Sequence, residues 1–440
     1  MCFWLQTECA STFQRCSATE HRQNGNSAVT RTPQEIVMKI ADIRVREVSV
    51  PRLYDTYSAD VQKLQSADER GRSRYQIIEL FTEDGIVGLG EVSDIYDRMQ
   101  PLSAADLRNL LQRELAGGDV AQWALLYQRV AAALPDTYHP ELRGLTLFGV
   151  EIALLDLVGK RFDAPLYELL GGRCRDGVEV CWVGFLRGEI PMVEELAAFE
   201  AEIAAKVAQG MRAFKLKVGE DHPRDLARIE LFRQIAGPDL YLRVDASGSW
   251  QELEAIDKIG QMARAGINAC ETPVVAISRQ VANDNPEQIN ARADEAALSL
   301  ARVRAAVPID IIEHVADLGD AFSAALVRHR AVDVVNVIPS QGGGLMRGLR
   351  LIHTAQTAGM AALLGSTVEM GPGTAAFVHL GVAAQNVTVS SDLVAPGLLV
   401  DDVCAHPFAY QDGALRPFAG PGLGVALDED KMAKWALSNG

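Results

Sequence analysis

Several things are scarce or missing in this 440-residue chain, and each absence removes a class of function. Its seven cysteines (Cys2, Cys9, Cys16, Cys174, Cys181, Cys270 and Cys404) are scattered, with no C-x-x-C pair and no zinc-like cluster. That pattern speaks against a disulfide scaffold or a zinc module and predicts a reduced, cytoplasmic protein. No apolar run approaches the roughly 18–20 residues that span a bilayer. No G-x-G-x-x-G follows a first strand, so a dinucleotide-binding fold has no support. Positive charge is in deficit, with 42 Lys and Arg against 58 Asp and Glu. The formal net charge of −16 argues against a general nucleic-acid binder. What remains, 48% hydrophobic and 23% charged, is the composition of a globular protein with a large core.

Residues 1–37 are polar, hold three of the cysteines and contain runs such as His21-Arg22-Gln23-Asn24-Gly25-Asn26-Ser27. They show no apolar signal-peptide core and read as a disordered extension, with Met38 as an alternative start. Strand-like segments follow at Ile43–Val50, Tyr75–Thr82 and, past the turn Glu83-Asp84-Gly85, Ile86–Val92. The polar stretch Leu53–Arg74 between the first two ends in Arg70, Arg72 and Arg74. These alternate arginines either clamp a carboxylate or belong to a solvated loop. Helical spacing covers Ala104–Leu115, Val120–Ala133 and Leu147–Arg161. Residues 38–150 therefore read as an α+β domain, with Pro165 and Gly171-Gly172 marking a boundary after it.

From residue 178 the rhythm changes to short strand, then amphipathic helix. Strands are predicted at Val178–Val183, Ala213–Val218, Leu240–Val244, Ile267–Cys270, Ile309–Ile312, Val332–Val337 and Ala361–Leu364. Such alternation implies a parallel sheet. Seven or eight units without a long break favour a barrel over 151–400, leaving 401–440 as a C-terminal segment.

Lys215 and Lys217 lie two apart on one of these strands, so both project from the same face. A lysine beside another cation, or partly desolvated, loses proton affinity and can serve as a base near neutral pH. An edge strand with two solvated lysines is the plainer reading of an isolated K-x-K. The next strand ends argue against it: Asp245, Glu271 and Glu313 follow three successive strands. In a parallel barrel those ends meet at one face, where active sites form. Three carboxylates gathered there repel one another unless a hard cation sits between them, and an all-oxygen set with open positions suits Mg²⁺.

At these residues the sequence resembles the mandelate racemase/muconate lactonizing enzyme family of the enolase superfamily, essentially from Met38 to the C-terminus. The resemblance rests on an ordered set: Leu154 to Lys160, Leu169-Leu170-Gly171-Gly172, the K-x-K strand, Val244-Asp245-Ala246, Glu271-Thr272-Pro273, Gly343-Gly344-Leu345, Gly365 to Glu369 and Gly420 to Gly424. It implies a capping α+β domain over a modified TIM barrel, (β/α)7β, with the last residues returning to the cap. It also implies one Mg²⁺ per subunit (or Mn²⁺) held by Asp245, Glu271 and Glu313, where it would stabilise the enediolate left when an α-proton departs. Lys217 matches the family's base. Lys215 would keep Lys217 neutral and meet the carboxylate of a small-molecule substrate. Homo-oligomers are usual in the family.

Two departures shape the reaction expected. Lysine-type members carry a second base five residues before the glycine pair, and here Ile338 stands there. No histidine appears in Leu363-Leu364-Gly365-Ser366-Thr367 either. One-base chemistry is therefore favoured: β-elimination from a hydroxy acid or acid sugar first, with a cycloisomerase or epimerase as the alternative and a silent metal-binding homologue as a third. The second departure is length: 42 positions separate Glu271 from Glu313, against 26 between Asp245 and Glu271. The excess, Ala276–Glu295, reads as a polar loop on the active-site face and makes Asp310 a fallback ligand. Ser247 stands where Asn is common. His314, Glu369, Arg72 and Arg74 are candidate substrate contacts, with a structural role open for each. His379 and Cys270 read as packing, and Gly342-Gly343-Gly344 as a turn that serves barrel geometry.

Overall fold

Alternating apolar residues build an antiparallel sheet from β1 (Ile40–Pro51), β2 (Arg72–Thr82) and β3 (Val87–Val92), in that spatial order. Ile43, Val45, Ile78 and Leu80 bury into the cap's own core, whereas Val48, Tyr75, Ile77 and Leu89 join the larger cluster of the barrel. Both faces are covered, which the period of two permits. Three helices complete this layer: α1 (Ala104–Leu115), α2 (Trp123–Ala133) and α3 (Pro140–Arg161). The computed structural model describes residues 37–57, 70–188, 190–274, 285–315 and 319–437. The expected N-terminal extension, apart from Val37, and most of the loop expected between β1 and β2 lie outside them.

α3 is the joint of the molecule. It is buried on nearly every side from Leu142 to Gly159, because it has the cap sheet on one flank and barrel elements on the other. Gly149 lets β3 approach closely: a Cβ there would stand 2.7 Å from the Glu91 carbonyl oxygen. The helix starts earlier than its apolar spacing predicts and runs unbroken through residue 150, where the sequence placed the end of the cap. That boundary falls inside a shared element.

Seven parallel strands follow, each hydrogen-bonded to the next: β4 (Cys181–Gly184), β5 (Ala213–Lys217), β6 (Tyr241–Asp245), β7 (Ala269–Glu271), β8 (Asp310–His314), β9 (Val334–Val337) and β10 (Ala361–Leu364). Residues 387–392 occupy the gap between the two edge strands. Thr388 N donates to Ala362 O (3.1 Å), Asp392 N to Leu364 O (2.8 Å) and Cys181 N to Ser391 O (2.7 Å). This is the modified TIM barrel that the resemblance implied. Outward residues such as Leu216, Val244, Cys270 and Ile311 pack with the surrounding helices. Inward, Ala269, Ile312, Val334 and Leu363 form a small apolar layer with Tyr241 and Ala361. Such filled layers make the barrel a core and leave its carboxyl ends for chemistry.

The helices between strands are α4 (Met192–Ala208), α5 (His222–Ala236), α6 (Glu252–Ala265), α7 (Pro286–Ala306), α8 (Gly319–His329), α9 (Leu345–Thr357) and α10 (Gly371–Ala383). α7 corrects the loop expected over Ala276–Glu295. Residues 275–284 lie outside those described, but Asn285 caps a 21-residue helix, accepting from Gln288 N at 3.0 Å with Pro286 in the first turn. A last helix, α11 (Glu429–Trp435), packs on β1: Leu437 N donates to Glu47 O at 3.0 Å and Arg46 pairs with Glu429 at 2.6 Å. Among the described residues no helix is long and apolar enough to cross a membrane.

Candidate active site

β5, β6 and β7 run in register, Lys217 beside Asp245 and Asp245 beside Glu271. The alternation that buries Leu216 and Val244 outward turns Lys215, Lys217, Arg243, Asp245 and Glu271 inward. Lys217 Nζ lies 2.6 Å from Asp245 Oδ2. Lys215 Nζ sits deeper, 3.1 Å from Asp245 Oδ2, 2.8 Å from Glu271 Oε1 and 2.9 Å from Asp392 Oδ2. Burial works against the Lys215 charge, yet Asp245, Asp392 and Glu271 outweigh it and hold the ammonium well above the usual lysine range. Burial likewise opposes the Asp245 charge, but Lys215 and Lys217 bring its carboxyl down to about 2. Against the same burial, Lys215, His314 and Arg243 hold Glu271 well below the usual range.

Arg243 and Asp392 complete this centre and were missed in the sequence. Arg243 is fully buried, donates to an Asp392 carboxylate oxygen and lies 3.5 Å from Glu271 Oε2. Its signal was phase alone: it stands two residues before Asp245. Asp392 belongs to no strand pattern and enters only because its segment closes the barrel. Asn336 Nδ2, from β9, donates to Glu271 Oε1 at 2.8 Å.

Glu313 is where expectation and structure part. Ile312 faces the inner apolar layer, so His314, two residues on, also faces inward. Its Nε2 lies 2.7 Å from Glu271 Oε1. The Glu313 carboxylate instead accepts from Thr272 Oγ1 and His314 N, both at 2.9 Å. Among the described residues the group able to hold a metal ion is Asp245, Glu271 and His314, whose ligand atoms all lie within 4.8 Å of one another. One oxygen of this group, Glu271 Oε2, is buried without a hydrogen bond. That oxygen faces the Arg243 guanidinium at 3.5 Å, and the donor set that remains, two carboxylates and an imidazole, fits a divalent cation.

The other candidates separate. Glu369 is buried and gathers Ser340 Oγ (2.7 Å), Thr367 Oγ1 (2.6 Å) and Ser366 Oγ (2.6 Å), organising the turn after β10. Arg72 donates to Ser49 O at 2.7 Å, and Arg74 pairs with Asp97 at 2.6 Å and Glu47 at 3.4 Å. Both arginines are engaged within the cap, Arg72 by Ser49 and Arg74 by Glu47 and Asp97. Asp310, the fallback, sits exposed at the opposite end of β8. His379 is core: Tyr167 N donates to its Nδ1, and its Nε2 donates to Leu423 O, each at 3.2 Å. Ile338 is buried at the end of β9, four strands round the barrel from β5, and packs against Gly365.

Local geometry supports the centre. Ser247, Thr272 and Val368 follow strand ends with positive φ (50°, 43° and 61°), a strain of about 1–3 kcal/mol each that concentrates at functional sites. Behind Lys217, the buried Arg228 of α5 donates to the Lys217 carbonyl, and Asp225 accepts from Gly219 N at 2.9 Å. A cavity of about 740 Å³ lined by Arg187, Glu195, Asp221 and Arg224 adjoins this turn.

Residues 198–431 match the family described as enolase C-terminal domain-like, and residues 58–171 match the mandelate racemase/muconate lactonizing enzyme N-terminal domain. A chloromuconate cycloisomerase of Cupriavidus pinatubonensis is 30% identical over 82% of this chain and 91% of its own. An N-succinyl-L-Arg/Lys racemase of Bacillus cereus is 26% identical over 81% of this chain and 88% of its own. The crystal structure of a muconate lactonizing enzyme from Pseudomonas fluorescens, complexed with muconolactone, superposes with a TM-score of 0.75 at 26% identity, covering 91% of this chain and all of the other. The lysine-bearing barrel and its cap thus belong to an enzyme of the mandelate racemase/muconate lactonizing enzyme family, in the enolase superfamily.

Proposed function

We propose that Lys217 moves the proton α to a substrate carboxylate, as the single acid/base of a cycloisomerase. The observation that carries this reading is that the residue at the end of β9, four strands round the barrel from Lys217 at the end of β5, is the buried, apolar Ile338. A racemase acting through two lysines needs a second proton carrier at that place, and an isoleucine is none. A cycloisomerase needs one. In the lactone-forming direction a carboxylate oxygen adds to a conjugated double bond, and the lysine delivers a proton to the α-carbon. The reverse direction removes it. The cycloisomerase relatives favour this outcome. β-Elimination of water from a hydroxy acid or acid sugar also needs only one base and is the second reading.

A divalent cation, for which Mg²⁺ and Mn²⁺ are the candidates, would be held by Asp245 and Glu271 and supplies Lewis-acid stabilisation of the enediolate. The protein's own part is positioning. Asp245 holds the Lys217 amine at 2.6 Å, and Lys215 remains a fixed cation that joins Asp245, Glu271 and Asp392. The layer of Ala269, Ile312, Val334 and Leu363 closes the floor to water. A cytoplasmic homo-oligomer is in keeping with the free thiols of Cys174, Cys181, Cys270 and Cys404 and with the family's habit.

The test is turnover in D₂O with divalent cation present. The panel holds muconate, chlorinated muconates, hydroxy acids, acid sugars and N-acyl amino acids, read by mass spectrometry and NMR. The expected result is one deuterium in a lactone product with no loss of water, absent in Lys217→Ala. Loss of water in a Lys217-dependent way would establish the second reading. Turnover that survives Lys217→Ala would remove both.

A further inference from the structure

We infer that His314, and not Glu313, completes the metal-binding set with Asp245 and Glu271. The resulting site, two carboxylates and one imidazole, should favour Mn²⁺ or Co²⁺ over Mg²⁺. The inference rests on the proposed metal-assisted reading and changes its ligand set.

The first argument is phase. Ile312 packs inward with Ala269, Val334 and Leu363, and residues two apart on a strand share a face. His314 is therefore inward and Glu313 is not, although an acidic residue at that strand end is what chemistry based on residue type alone would choose. Contacts agree: the Glu313 carboxylate accepts from Thr272 Oγ1 and His314 N, while the His314 ring reaches Glu271.

Distance supplies the second argument. His314 Nε2 and Glu271 Oε1 stand 2.7 Å apart. Between an ionised carboxylate and an imidazole at that separation lies a proton carried by Nε2. Neighbouring donors on a six-coordinate ion, with bonds of about 2.1 Å, lie about 3 Å apart. A cation can thus take the proton's place between the two groups, with Nδ1 keeping the ring's remaining hydrogen. Glu271 Oε2, on the far side of the carboxylate, faces the Arg243 guanidinium at 3.5 Å, so Oε1 is the oxygen turned toward His314.

Donor type argues for the ion. Imidazole suits the transition metals, and Mg²⁺ prefers oxygen throughout. The exchange of a carboxylate for His314 is therefore a change of selectivity as well as of geometry.

The experiment uses the full-length protein freed of metal. Mn²⁺, Co²⁺ and Mg²⁺ are titrated in turn by calorimetry, and the Mn²⁺ form is examined by pulsed EPR for coupling to ¹⁴N. The wild type is expected to show that coupling and to bind Mn²⁺ more tightly than Mg²⁺. His314→Gln should lose the coupling and weaken Mn²⁺ by about tenfold or more, whereas Glu313→Gln should stay within about twofold. Bound Mn²⁺ without nitrogen coupling in the wild type would overturn the inference, and that measurement depends on no variant's folding. So would Mg²⁺ bound as tightly as Mn²⁺, or affinity lost in Glu313→Gln and kept in His314→Gln. In each of these outcomes Lys217-dependent turnover in D₂O would leave the proposed reaction standing. Failure of every ion to bind, together with metal-independent turnover, would remove both.

Discussion

Lys215 and Lys217 share a strand face and differ in surroundings. Lys217 has one carboxylate neighbour among the ion pairs, Asp245, and keeps some exposure; Lys215 has three carboxylates and almost none. In the proposed reaction the residue nearer solvent, Lys217, is the one to exchange a proton with a substrate, and the deeper Lys215 serves as a fixed cation. Removing it should be costly, because Asp245, Glu271 and Asp392 would then share only Arg243, Lys217 and polar donors. Taking one partner from a buried ion network costs about 3–5 kcal/mol. Lys215→Met is expected to lose stability of that order in urea unfolding, and Lys215→Met with Asp392→Asn to recover part of it. A single variant as stable as wild type would show that Lys215 does not offset those charges. Much of this centre was legible beforehand. Lys215, Lys217, Asp245 and Glu271 stand at strand ends in an order that few folds produce. Glu313 was chosen by its acidity; its carboxylate accepts from Thr272 Oγ1 and His314 N, while His314, in phase with the inward Ile312, is the residue that reaches Glu271. Asp392 was not legible at all, since isolated bridges hold its segment and no alternating pattern announces it.

At the scale of elements, the barrel strands follow apolar runs closely enough that most were placed within a residue or two. Helix starts were less visible. The Asn285-Pro286 pair with Gln288 is a helix-capping signature, yet it sits in a polar run and reads as loop until the long amphipathic stretch after it is counted. The β5–α5 unit shows what elements contribute to chemistry. Arg228 donates to the Lys217 carbonyl and pairs with Glu195 at 3.4 Å, while Asp225 of the same helix accepts from Gly219 N. The helix thus clamps both sides of Lys217's exit from the strand, where Gly219 has φ 117°. Arg228 is a positioning residue in this reading. Arg228→Met should lower kcat by about 10- to 100-fold with KM little changed, since small misplacements of a reacting group cost that much. Arg228→Lys should recover part of the rate. A matching loss of thermal stability without any change in kcat would assign the arginine to folding alone.

Over the whole molecule, the cap and barrel are joined by buried polar contacts as well as by α3. Tyr75 of β2 donates its hydroxyl to Val368 O at 2.7 Å, at the turn following β10. Glu91 of β3 reaches the start of α10, accepting from Met370 N (2.8 Å), Gly373 N (3.0 Å) and Ser93 Oγ (3.0 Å). A carboxylate there meets unpaired helix N–H groups. Burial nevertheless pushes its pKa up, the two backbone donors oppose the rise, and nearby Glu369 adds to it, leaving Glu91 at about 8. The unfolded chain releases this proton near 4.5, so between pH 4.5 and 8 the folded state binds more protons than the unfolded. The stability this contributes is complete below pH 4.5, falls as pH rises through the window and is gone above about 8. The fall is at most about 1.4 kcal/mol per pH unit. Glu91→Gln, which keeps an acceptor and cannot ionise, should flatten that slope and make the protein more stable than wild type at about pH 9, above the folded-state pKa. Urea unfolding at about pH 5, 7 and 9, spanning that window, would measure it. A wild type whose stability rises across this range, with Glu91→Gln following in parallel, would show that Glu91 is ionised throughout and that the joint is an ion at a helix terminus.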